Sequence, residues 1–182
     1  MEDYERDVQT HQIARHYITL FNKALESFPA LVNQVQMVPV VHLRILNDQG
    51  EIIDYVNAEP YINGSFDKIT NNNDKVDPRL NSDLLMAFMH FTYDRSNGNL
   101  MVTDLQGWVH ADRSQAVILT DPAINSIEGN RFGITNIGQR GLQGFWDKQH
   151  VRCNDICRLL DLPKSRPNQD VVSPVLTRGD TL

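Results

Sequence analysis

The sequence predicts an α+β domain: a long one-sided helix pattern opens the chain, short strand patterns fill its middle, and helix patterns return near its end. With 182 residues, 41% of them hydrophobic, there is enough chain for one core and too little for two ordinary domains. Lys plus Arg number 17 against 23 Asp plus Glu, a net charge of −6, so the basic footprint of a nucleic-acid or anionic-membrane binder is missing. No apolar run approaches the roughly 18 residues that span a bilayer, and the charged start MEDYERDV is unlike a secretory leader. Two cysteines four positions apart suit metal ligation better than a structural disulfide, which together with the start predicts a reducing, cytoplasmic setting.

The elements follow in order. Ile13, Tyr17, Leu20, Phe21, Ala24 and Phe28 recur at helical spacing and predict a helix over residues 8–28. Val40, Val41, Leu43, Ile45 and Leu46 read as a strand, the string Asn47 to Gly50 as a turn, and Ile52 to Val56 as the second arm of a hairpin. Ala58 to Phe66 contains Pro60 and Gly64 and reads as a connector between lobes. Asn71, Asn72, Asn73 and Asp74 form a polar loop before a helix running from Leu80 to His90, capped by Asn81 or Ser82. Leu100 to Asp104 reads as a strand whose extended geometry would aim Gln106 the same way as Asp104. Val117 to Leu119 is a strand that delivers Asp121 and is stopped by Pro122. Helices are expected from about Gly141 to Lys148 and from Arg152 to Leu160. Residues 163–182, with three prolines and little to bury, read as a disordered tail behind a domain of residues 1–162. Ser165, Ser173, Thr177 and Thr181 in it are candidate phosphorylation points.

Two groups of residues carry chemistry. Asp104 and Asp121 each end an apolar strand, which holds a carboxylate rigidly at a sheet edge; with Gln106 they can converge on one divalent ion and its phosphate ligand. Carboxylates at strand ends also cap turns in ordinary proteins. The second group is His90 with His150-x-x-Cys153-x-x-x-Cys157, four ligands of the kind zinc takes. Cysteines at i and i+4 share one helix face. They also serve as small core residues, and a buried histidine is often only a satisfied core residue.

The ordered motifs Tyr4-x-x-Asp7-Val8, Phe21-Asn22, Glu59-Pro60-Tyr61, Gly64, Phe66, His90-Phe-Thr-Tyr93, Asp104-Leu-Gln-Gly107, Leu119-Thr-Asp-Pro122, Gly133 to Gly138 and Cys153-Asn-x-x-Cys157 together resemble the alpha-kinases. These atypical protein kinases include myosin heavy chain kinases and elongation factor 2 kinase. The resemblance covers the chain to about Leu162 and implies a two-lobed kinase-like fold that takes ATP, magnesium and a protein substrate. It implies Asp104 as the catalytic acid, Gln106 and Asp121 as holders of magnesium, and Glu59 in the hinge that receives adenine. His90, His150, Cys153 and Cys157 are implied as structural zinc ligands, and Gly133, Asn136 and Gly138 as parts of a glycine-rich loop that handles substrate.

Three departures from the family pattern stand out. The family's upstream strands, with the lysine that grips the ATP phosphates, have no counterpart before the first helix, and neither Lys23 nor Lys68 lies where a replacement is expected. His150 stands three positions before Cys153 instead of two, with Val151 in the usual place. Trp108 to Gln115 lengthens the stretch between Asp104 and Asp121. Two readings follow: an alpha-type serine/threonine protein kinase, or a zinc-stabilised, catalytically inactive module or scaffold whose incomplete amino-terminal lobe is covered by a partner chain.

Overall fold

In a computed structural model the protein is described over residues 2–31, 35–71, 82–108, 116–129 and 131–163. The elements are α1 (Glu2–Ala24), β1 (Val35–Met37), β2 (Val41–Leu46), β3 (Ile52–Ala58), β4 (Phe66–Lys68), α2 (Ser82–Arg95), β5 (Leu100–Thr103), β6 (Gln106–Trp108), β7 (Val117–Thr120), β8 (Ala123–Ser126), α3 (Gln139–Gly144), a π-helical turn (Phe145–Gln149) and α4 (Asp155–Leu159). Helices and strands are mixed along the chain, as an α+β domain requires. Among the described residues no helix is long and apolar enough to cross a membrane.

The core is organised around α2. Leu84 to Tyr93 are buried at every position, the signature of a helix enclosed on all sides instead of one. Phe21 of α1 meets Phe88 and Phe91 of α2 edge-on, with ring centroids 5.4 and 5.3 Å apart. Edge-to-face contacts of this kind add about 0.5–1.5 kcal/mol beyond the area they bury. Thr92 fastens β5 to the same helix, because its hydroxyl accepts a hydrogen bond from the Val102 amide. The β2–β3 hairpin is built differently: Val41, Leu43, Ile45, Leu46, Ile52 and Ile53 are exposed along it.

Strand pairing explains how the site forms. One sheet has the order β1-β7-β6-β4, while β5 and β8 pair separately. The β5–β8 ladder ends with Thr103 opposite Ala123, and the β6–β7 ladder ends with Gln106 opposite Thr120. Residues 104–105 and 121–122 therefore lie opposite each other in the gap between the two ladders. Both strands change sheet at an aspartate. Asp104 and Asp121 turn the chain there with φ of 56° and 44°, a left-handed backbone that side-chain-bearing residues seldom adopt.

Several expectations change. Gln106 is not a continuation of the strand leading to Asp104; the turn at Asp104 transfers it to another sheet. Pro122 ends β7 but is followed at once by β8, since the chain reverses at Asp121. The first helix starts and ends earlier than the predicted 8–28, and α2 runs on past His90 to Arg95. The helix expected over Gly141 to Lys148 begins at Gln139 and opens into the π-turn at Phe145. Cys153 precedes α4, which Asn154 caps by accepting from the Cys157 amide, so the two cysteines do not share a helix face. Asn72 to Asp74, Asn81, His110 and residues 164–182, including the expected tail and its phosphorylation points, lie outside the described residues, and the Trp108 to Gln115 segment does so beyond Trp108.

Candidate functional site

The seam opens into a cavity of about 330 Å³ lined by Asp7, Thr10 and His11 of α1, by Asn57 and Glu59 around the end of β3, by Asp104 and Asp121, and by Phe132 and Thr135 of the following loop. Asp7, Thr10 and His11 reach it together because residues three and four apart share one face of a helix. Gln106 Nε2 donates to the Asp121 carboxylate at 3.0 Å and to the Asp121 carbonyl at 3.1 Å. Asp104 Oδ1 is met by the Lys68 ammonium at 2.8 Å in an ion pair. Desolvation first, and Asp121 second, hold the Asp7 carboxyl above the usual carboxylate range. Four acids, Asp7, Glu59, Asp104 and Asp121, thus line one cavity.

That surplus of negative charge fits a divalent cation. Gln106 and Asp121 are already in contact, and turning the amide about its last bond exchanges its nitrogen for an acceptor oxygen. Both side chains then present oxygen to the same point. Close packing beneath them makes the seam rigid: a Cβ on Gly107 would stand 2.0 Å from the Ile118 carbonyl oxygen, so only glycine lets β6 approach β7.

Glu59 follows β3 directly. Its carboxylate accepts a hydrogen bond from Thr120, the residue before Asp121, and lies 3.6 Å from His11 Nδ1. His11 Nε2 is 2.6 Å from the Val38 carbonyl and must carry the proton there, since a carbonyl only accepts. Glu59 thereby ties the end of β3 to the Asp121 turn and to α1. Asn136 is buried and ties its loop to the end of β8: Oδ1 accepts from the Ser126 and Gly138 amides, and Nδ2 donates to Ser126 Oγ and the Glu128 carbonyl. Gly133 and Gly138 flank it with φ of 76° and 68°. From this loop Phe132 and Thr135 line the cavity.

Sequence reasoning missed Lys68 and His11. Lys68 sits on β4, which pairs with β6 so that Lys68 stands opposite Gln106, two positions from Asp104. His11 carried no signal beyond its place one helical turn after Asp7.

A second cluster is built around His90 of α2. The ligand atoms of His90, His150, Cys153 and Cys157 all lie within 4.8 Å of one another. Cys157 Sγ is 3.4 Å from His150 Nε2, and Cys153 Sγ is 3.8 Å from His90 Nδ1. Ligands on a zinc tetrahedron with the usual bond lengths stand about 3.3–3.8 Å apart, so the donor set and spacing both suit zinc. The π-turn delivers His150, whose amide bonds back to the Phe145 carbonyl at 2.7 Å; this wide turn accommodates the shifted histidine. Burial, then His90, lowers the His150 imidazole to about 4, and burial raises the Cys157 thiol to about 12. Metal binding through Cys157 must therefore release its proton.

Comparison with known proteins agrees with this geometry. A profile of the alpha-kinase family matches residues 1–157. Alpha-protein kinase 1 of Homo sapiens is 39% identical over 167 residues, which is 90% of this chain and 13% of that protein. Myosin heavy chain kinase B of Dictyostelium discoideum is 38% identical over 115 residues, 62% of this chain and 14% of that protein. The chain thus spans a small fraction of the relatives it matches. The apoenzyme alpha-kinase domain of myosin-II heavy chain kinase A superposes with a TM-score of 0.71 at 28% identity, over 90% of this chain and 59% of that one. The alpha-kinase domain of myosin heavy chain kinase A in complex with ADP superposes with the same score over 60% of its length. With the family profile matched over most of its length and the fold matched as well, this chain belongs to the alpha-kinase family.

Proposed function

We propose that the chain carries the catalytic seam of an ATP-dependent serine/threonine protein kinase of the alpha type. The observation that carries this reading is the double sheet switch, which sets Asp104 opposite Asp121 with Lys68 and Gln106 beside them. Lys68 holds Asp104 Oδ1, which leaves Oδ2 to accept the proton of an acceptor hydroxyl as its oxygen attacks the γ-phosphorus and the bond to the bridging oxygen breaks, releasing ADP. Gln106 and Asp121 are the residues that would hold magnesium, which would offset the negative charge of the phosphates. Glu59 places the end of β3 where the adenine end of a nucleotide enters, and Thr135 with Gly133 and Gly138 forms the wall nearest a protein substrate. His90, His150, Cys153 and Cys157 take a structural zinc, since four protein ligands leave no open position. A cytoplasmic setting follows from the same reading.

The test is transfer of labelled γ-phosphate from Mg-ATP by the full chain to peptide pools fixed at serine, threonine or tyrosine. Labelling of the serine and threonine pools, lost in Asp104→Ala, is expected. A second reading, an inactive zinc-stabilised scaffold, is favoured by the exposed apolar residues of the β2–β3 hairpin, which suit cover by a partner chain. Nucleotide binding with no transfer to any pool would select it.

A further inference from the structure

The two histidines of the metal cluster face it with different nitrogens: His150 with Nε2 and His90 with Nδ1. The reason for the difference lies outside the cluster. His90 Nε2 is 3.0 Å from the carbonyl oxygen of Pro163, and because a carbonyl only accepts, Nε2 must carry the ring proton. Nδ1 is then left with its lone pair toward Cys153 Sγ. The imidazole cannot easily turn over, since the Trp146 ring stands edge-on at 4.7 Å and 88° to it. The carbonyl is fixed as well. The Leu162 amide donates to the Cys157 carbonyl at 2.9 Å, and the Leu162 side chain is buried against the core. Cys157 therefore supplies both a ligand atom and the anchor that sets Pro163.

We propose that the Pro163 carbonyl is an outer-shell element of the metal centre: it selects Nδ1 of His90 as the ligand, and the bound metal in return pins the chain where it leaves α4. The inference rests on the zinc reading above and deepens it. Outer-shell acceptors on ligating histidines fix the tautomer and raise ligand basicity, and losing one typically weakens metal binding about 10–100-fold. Coupling of this kind is reciprocal, so docking of the segment at Pro163 and occupancy of the cluster must favour each other.

The experiment begins with elemental analysis of the full chain after zinc loading. Lack of stoichiometric zinc would defeat the zinc reading itself. With zinc bound, nitrogen-15 and carbon-13 NMR of the imidazoles assigns the ligating atom. Nδ1 ligation by His90, Nε2 ligation by His150, and slow solvent exchange of the His90 Nε2–H are expected. Nε2 ligation by His90, or exchange of that proton at the rate of a free imidazole, would overturn the proposal. His90→Cys supplies a second readout, because it keeps a ligand atom and removes the N–H donor. Zinc-loaded wild type should resist trypsin at the Lys164–Ser165 bond more than zinc-loaded His90→Cys does. Equal resistance would also overturn it, and if the variant fails to fold the ring assignment decides alone.

Discussion

The seam at Asp104 and Asp121 and the His/Cys cluster flank the same helix and are built on opposite terms. The seam concentrates unfavourable features: two non-glycine residues with positive φ, each costing on the order of 1 kcal/mol or more, and four acids around an open cavity with Lys68 beside them. In the cluster the ring and sulfur atoms meet one another, Phe145 stacks on His150, and His150 and Cys157 are buried. Local strain and unmatched charge are what a site completed by an exchangeable ligand would tolerate, whereas a largely buried His/Cys tetrad suits a stabilising role. Thr92, two residues after His90, connects the two through its bond to the Val102 amide.

The largest effect should come from breaking the closed region. Cys157→Ala should abolish zinc retention and cost about 4 kcal/mol or more, a fall in melting temperature of about 10 °C or more; calorimetric melting of the zinc-loaded proteins checks it. Gly107→Ala attacks the packing of the seam without touching a carboxylate. Its Cβ meets the Ile118 carbonyl, and denaturant unfolding should show a loss of about 3 kcal/mol. Asp121→Asn sharpens the contrast. Phosphate transfer should drop about a hundredfold, the scale of losing one preorganised electrostatic group. Melting should stay level or rise, because asparagine tolerates the left-handed backbone and the repulsion on Asp7 is relieved. Lys68→Met should slow transfer about tenfold and shift stability by no more than about 0.5 kcal/mol, as a half-exposed ion pair contributes little to folding.

Much of this contrast could be read from local pattern, and the unread parts share a physical cause. α1, the hairpin and the apolar runs of β5 and β7 announce themselves by periodicity, and His90 with the cysteines by ligand type. β1, β4, β6 and β8 are only three or four residues long, and what makes them strands is a partner far away in the chain. The sheet switch at Asp104 was invisible for that reason, and with it the reach of Lys68 to the carboxylate. His11 likewise acquires its place only when Val38 and Glu59 are folded against α1. The π-turn that brings His150 to the cluster follows from tertiary packing of Phe145 and Trp146, which no local propensity encodes.

The central claim is that the seam binds a magnesium–nucleotide pair through Asp121 and Gln106. Calorimetric titration of a non-hydrolysable ATP analogue, with and without magnesium, into the full chain and into Asp121→Asn tests it most directly. Magnesium should tighten binding to the wild type and leave the variant unaffected. The same magnesium response in both proteins would contradict the account.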